Sequence, residues 1–296
     1  MDKIKVAVIG WGNVGSEAVK AINAAHDMEL AGLVRRKLTN DQTGGAKAVT
    51  DIDQLGKVDV ALLCTPTRSV EQEAKKYLAK GINTVDSFDI HSDIVDLRSK
   101  LGVEAQKNGK VAVVSSGWDP GSDSVVRALM EAMAPGGITY TDFGPGMSMG
   151  HSVVARSKEG VADAMSLTVP LGTGIHRRIV YVQIQEGADF DTVSAAIKAD
   201  SYFCNDETHI KLVDNVADLI DRGHGVNMTR KGVSGQSHNQ ILQYSMRINN
   251  PALTSQVMVS CARACMRLSP GAYTMIEIPV VDLLPGDKEG HIRRLV

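Results

Sequence analysis

Two aspartates stand just past short apolar runs in the first 120 residues. Asp89 lies in VDSFDIH (85–91) and Asp119 in SSGWDPG (115–121). Equivalent placement on one edge of a sheet could bring the two carboxylates together over a ligand bound at that edge. Two acids close together also raise one another's pKa, which permits a proton relay to water. An Asp after a strand is more often a cap or turn residue. The setting of Asp119 is more particular: Pro120 and Gly121 shape a rigid turn, and Trp118 offers a large apolar wall.

A second group of residues reads as a nucleotide cradle. Gly10-Trp11-Gly12-Asn13-Val14-Gly15 is G-x-G-x-x-G between an apolar run and a helical pattern. Gly10 permits the tight turn, Gly12 lets backbone approach a pyrophosphate, and Gly15 allows close helix–strand packing. The following helix offers unpaired N–H groups, from Asn13 and Val14 onward, and a positive dipole for phosphates. Where an NAD site would place an acid, this chain has Arg35-Arg36. Two guanidiniums suit a 2′-phosphate through charge-assisted hydrogen bonds, so the expected cofactor is NADP. The run Cys64-Thr65-Pro66-Thr67-Arg68-Ser69 ends another strand, at the edge where doubly wound sheets bind ligands. Thr65, Thr67 and Ser69 suit a ribose or diphosphate; Ser69 reads equally as the cap of its helix.

Further on, TDFGPGMSMGHS (141–152) carries Gly144, Gly146 and Gly150, which would bring backbone amides close to an anion or small substrate. Of Arg177 and Arg178, alternation puts one toward a cavity as a carboxylate clamp, without saying which. His224, between two glycines, is either a ligand residue or a satisfied loop histidine, and Asn250 before Pro251 reads first as a helix cap. The four cysteines show no metal-type spacing; Cys261 and Cys265 read as packed thiols on one helix face, and no metal is expected.

These residues need a scaffold, and the pattern around them specifies one. IKVAVI (4–9), MELAGLVR (28–35), VDVALLC (58–64), INTVDS (82–87) and KVAVVSS (110–116) are short, apolar and rich in β-branched residues. Helical stretches separate most of them, at 13–25, 69–80 and about 92–108, so a Rossmann-type parallel sheet is expected. After Pro120 the texture changes. HRRIVYVQIQ (176–185), ETHIKLV (207–213) and SHNQILQYSMRI (237–248) partly alternate, with helices expected at about 189–199 and 214–222. The whole is α/β: a dinucleotide-binding domain over 1–118, completed by 252–296, and an α+β substrate and dimerisation domain over 119–251. The tail adds a helix over 252–268 and an apolar run, TMIEIPVV (274–281).

Composition narrows the class. The 296 residues carry 32 Lys+Arg against 34 Asp+Glu, so a general nucleic-acid binder is not expected. Aromatics make up 4%, too few for a base-stacking platform. No apolar run approaches membrane-spanning length, and MDKIKVAVIGWG does not read as a secretory signal, so the expected location is the cytoplasm.

GWGNVG, VRR, CTPTRS, VDSFDIH, SSGWDPG, FGPGMSMGHS and RINNPA, with the Thr–Arg–His series between the last two, together resemble the meso-diaminopimelate dehydrogenases, over essentially the whole chain. The resemblance implies NADP-dependent oxidative deamination of the D-centre of meso-2,6-diaminopimelate to L-2-amino-6-oxopimelate and ammonia, the reverse amination, and a homodimer. It implies that Asp89 and Asp119 hold the reacting amino group, that Trp118 and Phe143 line the pocket, and that backbone at 146–150, including Met149 and Gly150, takes the reacting carboxylate. It gives Thr168, Arg178 and His224 to the distal carboxylate and Asn250 to the distal L-centre, choosing Arg178 over Arg177. The chain departs from the longer corynebacterial-type members, which carry a tryptophan at the position of Phe143. The compact form resembles a subgroup that also aminates simple 2-keto acids to D-amino acids. Rival readings are another NADP oxidoreductase of the dihydrodipicolinate-reductase-like plan and a non-catalytic NADPH-sensing regulator.

Overall fold

The computed structural model describes residues 3–38, 43, 45–219 and 223–296. The chain divides into two compact units, Met1–Val125 with Pro251–Val296 and Val126–Asn250.

In the first unit the apolar runs of the sequence become strands. They are β1 (Ile4–Ile9), β2 (Met28–Val34), the short β3 (Ala48–Val49), β4 (Val60–Leu63), β5 (Asn83–Asp86) and β6 (Val111–Val113). Helices α1 (Asn13–Ala24), α2 (Val70–Ala79) and α3 (Ile94–Lys107) lie between them. Side chains alternate across a strand, so a strand covered on both faces must be apolar throughout. Val6, Val8, Val60 and Leu62 enter one core layer, with Ala18, Val19 and Ile22 of α1. Ala7, Ile9, Ala61 and Leu63 enter the other, with Ala74 and Leu78 of α2 and Leu97 and Leu101 of α3.

The second unit begins within α4 (Ser122–Met133). Strands β8 (Gly146–Ser148), β9 (Val161–Gly172), β10 (Ile175–Ile184) and β11 (Glu207–Leu212) form one sheet in the order β11-β10-β9-β8. The β10–β11 pair is parallel and the others antiparallel. Ala155 of α5 (Met149–Arg156) and Val193 and Ile197 of α6 (Phe190–Lys198) pack with Ala164, Val180, Val182 and Phe203 on one face of this sheet. A second sheet, order β13-β12-β7, is antiparallel: β7 (Gly136–Phe143), β12 (Gly223–Ser234) and β13 (Ser237–Asn249). Arg230 of β12 is buried, and its guanidinium donates to the carbonyls of Ala134 and Pro135 and to Thr139 Oγ1. It thereby serves carbonyls just past the end of α4, a charge a core tolerates when its donors are satisfied.

The chain then returns to the first unit. Met258, Val259, Cys261, Ala262 and Cys265 of α7 (Asn250–Cys265) join the α1 layer. Ser255 Oγ donates to the Val14 carbonyl at 2.7 Å, and Arg263 grips Asp27 through two hydrogen bonds of 2.6 and 2.8 Å. Strand β14 (Gly271–Tyr273) pairs with β6, closing a parallel sheet of order β14-β6-β5-β4-β1-β2-β3; α8 (Lys288–Leu295) ends the chain.

The apolar run at 274–281 forms two 3-10 turns, Met275–Glu277 and Val280–Leu283, with Pro279 between them. Two expectations change. The helix expected at 214–222 is a 3-10 turn over Val216–Leu219, and residues 220–222 lie outside the described residues. His224 lies in β12, not in a loop.

Candidate active site

The glycine turn of the first unit shows a division of labour. A Cβ on Gly10, whose φ is +102°, would sit 2.4 Å from the Cys64 carbonyl oxygen, and one on Gly15 would sit 2.3 Å from that of Gly10. Both are therefore filled by neighbouring backbone. A Cβ on Gly12 would meet nothing within 4 Å, and Gly12 starts α1 with no side-chain cap and no acid in the first turn. Asn13 and Val14 open that turn, so an anion would find open space and uncapped N–H groups. Arg35 follows β2, its N–H bound to the Val49 carbonyl at 2.9 Å, and Arg36 beside it is exposed. Thr65 Oγ1 is buried without a hydrogen-bond partner, an orphan of the kind a ligand would satisfy. These residues fit a dinucleotide with an added phosphate.

The rest of the run at 64–69 is committed elsewhere. Burial pushes the Cys64 thiol up to about 12, so it stays neutral. Pro66 precedes the 3-10 turn Thr67–Ser69, and Ser69 Oγ donates back to its carbonyl at 2.7 Å, making no side-chain cap on α2. Thr67 Oγ1 donates to Asp89 Oδ1 at 2.6 Å. Thr67 thus holds a carboxylate, a role its position in the sequence did not suggest.

Asp89 and Asp119 follow adjacent strands, β5 and β6, at the carboxyl edge of the parallel sheet. Trp118 is 5% exposed, and the Gly117 N–H donates to the Pro120 carbonyl at 3.1 Å across the turn that carries Asp119. A Cβ on Gly121 would fall 1.9 Å from the Gly117 carbonyl oxygen, so glycine is required there. Beneath both loops lies Asp86, fully buried. Desolvation raises its carboxyl to about 6, against two backbone N–H bonds that lower it.

In the second unit the cross-strand register sets Arg178 of β10 opposite Thr168 of β9. The Arg178 guanidinium donates to Thr168 Oγ1 and, through Nε, to Asp206 Oδ2 at 2.6 Å. Thr168 is buried. Arg177, on the opposite side of the strand, pairs with the more exposed Glu207 at 2.9 Å. Two histidines feel the Arg178 charge. Burial first, then that guanidinium, pushes His151 down to about 3 and lowers His176. His151 Nδ1 lies 2.8 Å from Ser148 Oγ, and His176 Nε2 accepts the Phe143 N–H at 2.7 Å with the rings 5.5 Å apart. Met149 and Gly150 open α5, whose first turn carries no acid and whose N-cap, Ser148, makes no side-chain cap bond. Their N–H groups suit a carboxylate. His224 is buried, its Nδ1 accepting the Gly225 N–H at 2.8 Å, and Asn250, also buried, begins α7.

At Gly144 and Gly146 the missing Cβ makes room for neighbouring backbone. A Cβ on Gly144 would meet the Thr168 carbonyl oxygen at 2.3 Å, and one on Gly146 that of Gly223 at 2.1 Å. The Gly144 N–H donates to the Gly225 carbonyl at 2.8 Å.

Residues 4–86 match an oxidoreductase family with an NAD-binding Rossmann fold, and residues 117–250 match the diaminopimelic acid dehydrogenase C-terminal domain. The chain is 58% identical to the meso-diaminopimelate D-dehydrogenase of Bacteroides fragilis, with all of both chains covered. It belongs to the meso-diaminopimelate D-dehydrogenase family. The Corynebacterium glutamicum family member is 30% identical over 99% of each chain. A crystal structure of the C. glutamicum diaminopimelate dehydrogenase in complex with diaminopimelate is similar with a TM-score of 0.92, at 30% identity and full coverage of both chains. An engineered D-amino acid dehydrogenase bound to NADP+ is similar with a TM-score of 0.89 at 28% identity, covering 99% of this chain and all of that one.

In this meso-diaminopimelate D-dehydrogenase family chain, four side chains escaped sequence reading: Asp86, His151, His176 and Asp206. Each acts on a partner distant in sequence, as Asp206 does on Arg178 across 28 positions. The double match of β10 to Thr168 and Asp206 appears once the strand register is known.

Proposed function

We propose that this chain catalyses NADP-dependent oxidative deamination of the D-centre of meso-2,6-diaminopimelate, and the reverse reductive amination, with activity extending to D-amino acids from simple 2-keto acids. The full-length 58% identity carries the reading, and the side-chain chemistry of both units supports it. Gly10, Gly12, Asn13, Val14, Gly15, Arg35, Arg36, Thr65 and the backbone of the 64–69 segment would hold the NADP cofactor, whose nicotinamide would supply a hydride acceptor or donor.

Every other task falls to the protein. Asp89, oriented by Thr67, and Asp119, on its rigid turn, take the reacting nitrogen. They draw in the ammonium and favour the positive charge that develops as hydride leaves. The nitrogen must lose a proton before its lone pair can assist, and the two acids offer acceptors for it. Trp118 and Phe143 exclude water, which strengthens those charges. The first turn of α5, at Met149 and Gly150, takes the carboxylate beside the reacting carbon. Arg178, with Thr168 and His224, takes the distal carboxylate, and Asn250 the L-centre. Orientation of the reacting C–H then supplies much of the rate.

The chain acts as a homodimer in the cytoplasm. Exposed apolar side chains on the second unit, Ile138, Ile175 and Ile241, favour a partner surface. Among the described residues no helix is long and apolar enough to cross a membrane.

The test is nicotinamide reduction at alkaline pH with meso-, LL- and DD-diaminopimelate and D-alanine, with NADP+ and NAD+ compared, on wild type and Asp119→Asn. Turnover should require a D-centre and favour NADP+. Asp119→Asn should lower kcat at least about tenfold, roughly 1.4 kcal/mol of barrier, with NADP+ still bound. Wild-type turnover by Asp119→Asn removes that residue from the mechanism.

A further inference from the structure

Hydrogen bonds from both acid-bearing loops converge on Asp86. Its Oδ1 accepts the N–H of Phe88 and the N–H of Ser115, each at 3.0 Å. Its backbone carbonyl accepts the Ser116 N–H and the Ser116 hydroxyl, each at 2.7 Å. Phe88 immediately precedes Asp89, while Ser115 and Ser116 lead through Gly117 and Trp118 to Asp119. One side-chain oxygen therefore sets the start of both loops.

The surroundings make this more than a turn bond. Asp86 is fully buried, and its second oxygen, Oδ2, is buried without a partner. A carboxyl is costly to bury in that way unless its bonds are needed. Ser115 adopts a left-handed φ of +57°, a conformation a non-glycine residue holds only when its surroundings over-determine it. The Ser115 N–H bond to Asp86 is one of those constraints. Alanine at 86 would lose both Oδ1 bonds. Asparagine keeps one carbonyl oxygen in the same place, so it retains them while removing the charge.

We propose that Asp86 is a positioning residue that holds Asp89 and Asp119 in register by pinning Phe88 and Ser115 to a single oxygen. The proposal rests on the reading that those two acids serve the reacting nitrogen. It assigns Asp86 no contact with substrate or cofactor; its part is to fix where two other carboxylates stand.

The experiment compares Asp86→Asn, Asp86→Ala and Asp86→Glu with Leu101→Ala, a buried α3 substitution that weakens the same unit while leaving both Oδ1 bonds in place. Steady-state kinetics are read beside backbone hydrogen exchange at 87–89 and 115–117. Asp86→Asn should keep kcat within about threefold and wild-type exchange, because both N–H bonds survive. Asp86→Ala should lose about thirtyfold or more in kcat, as an ångström-scale misplacement of reacting groups does, with the KM for NADP+ unchanged. Both segments should exchange at least about tenfold faster in Asp86→Ala, while Leu101→Ala leaves loop exchange and kcat at wild-type values. If Asp86→Ala does not fold, Asp86→Glu, which keeps the charge but displaces the oxygen by a methylene, should show the same fall in kcat. Wild-type kcat or loop protection in Asp86→Ala, wild-type kcat in Asp86→Glu, or an Asp86→Asn as slow as Asp86→Ala would overturn the proposal. Wild-type turnover in both Asp89→Asn and Asp119→Asn would instead remove the reading beneath it, and the exchange data would still report on the pinning.

Discussion

With His151 and His176 held neutral, Arg178 supplies the positive charge of its cluster, answered within the chain by Asp206. A distal clamp of this kind acts alike in the ground and transition states. Arg178→Ala should therefore raise the KM for meso-diaminopimelate by about tenfold or more, with little change in kcat, and leave D-alanine oxidation nearly unaltered because D-alanine has no second carboxylate. A fall in kcat at constant KM would contradict that role. Asp86 makes a different prediction. Its folded pKa, about 6, lies above the ordinary 3.8, so its favourable contribution to folding is complete below the lower value and lost as pH rises through the upper one. The neighbouring Cys261 thiol, raised to about 12 by burial, stays neutral throughout that window. Asparagine does not ionise, so the stability of Asp86→Asn relative to wild type should grow by about 2.5 kcal/mol between pH 4 and pH 8. A difference that does not vary with pH, measured by chemical denaturation, would show that Asp86 does not titrate there. Asp89 and Asp119 were legible because each follows an apolar run. Asp86 was not, because its character comes from N–H groups that only the paired strands bring to it.

At the level of elements, parallel strands announce themselves. VAVI (6–9) of β1 and VALL of β4 are apolar at every position because helices cover both faces. The antiparallel strands β7, β9 and β12 went unread. GGITYTDF and GHGVNMTRKGVS mix glycine, charge and apolar residues, since one face is half-buried and Arg230 is spent inside on carbonyls near α4. The packing role of Gly146 in β8 was hidden for the same reason: what a missing Cβ makes room for depends on partners far along the chain. Gly146→Ala should accordingly act on folding rather than on anion binding, costing about 2–3 kcal/mol because the Gly223 backbone cannot yield as a side-chain tip would. Unchanged thermal stability with a weakened substrate KM would reverse that assignment.

For the molecule as a whole, the sequence pattern foretold a parallel sheet and a separate α+β portion, and the late helix α7 packs into the core of the first. Met258, Val259, Cys261, Ala262 and Cys265 are nearly or fully buried against β1, β4 and α1. Large apolar side chains contribute about 1.5–3 kcal/mol each when fully buried, against a total stability of about 5–15 kcal/mol for a typical domain. A chain ending at Asn250 should therefore fail to fold its first unit, detectable as loss of cooperative unfolding. A cooperative transition of wild-type midpoint in that fragment would mean α7 is dispensable.

The Ser255–Val14 bond and the α7 packing also impose a timetable on synthesis. Residues 126–250 leave the ribosome with all their strand partners already made, whereas β1, β4 and β6 must wait until Cys265 has emerged. Until then Val6, Val8, Leu62 and Val113 lack the α7 part of their core layer. The nascent polypeptide is thus a natural client for a chaperone at its oldest end, and the inserted unit is the first part able to mature.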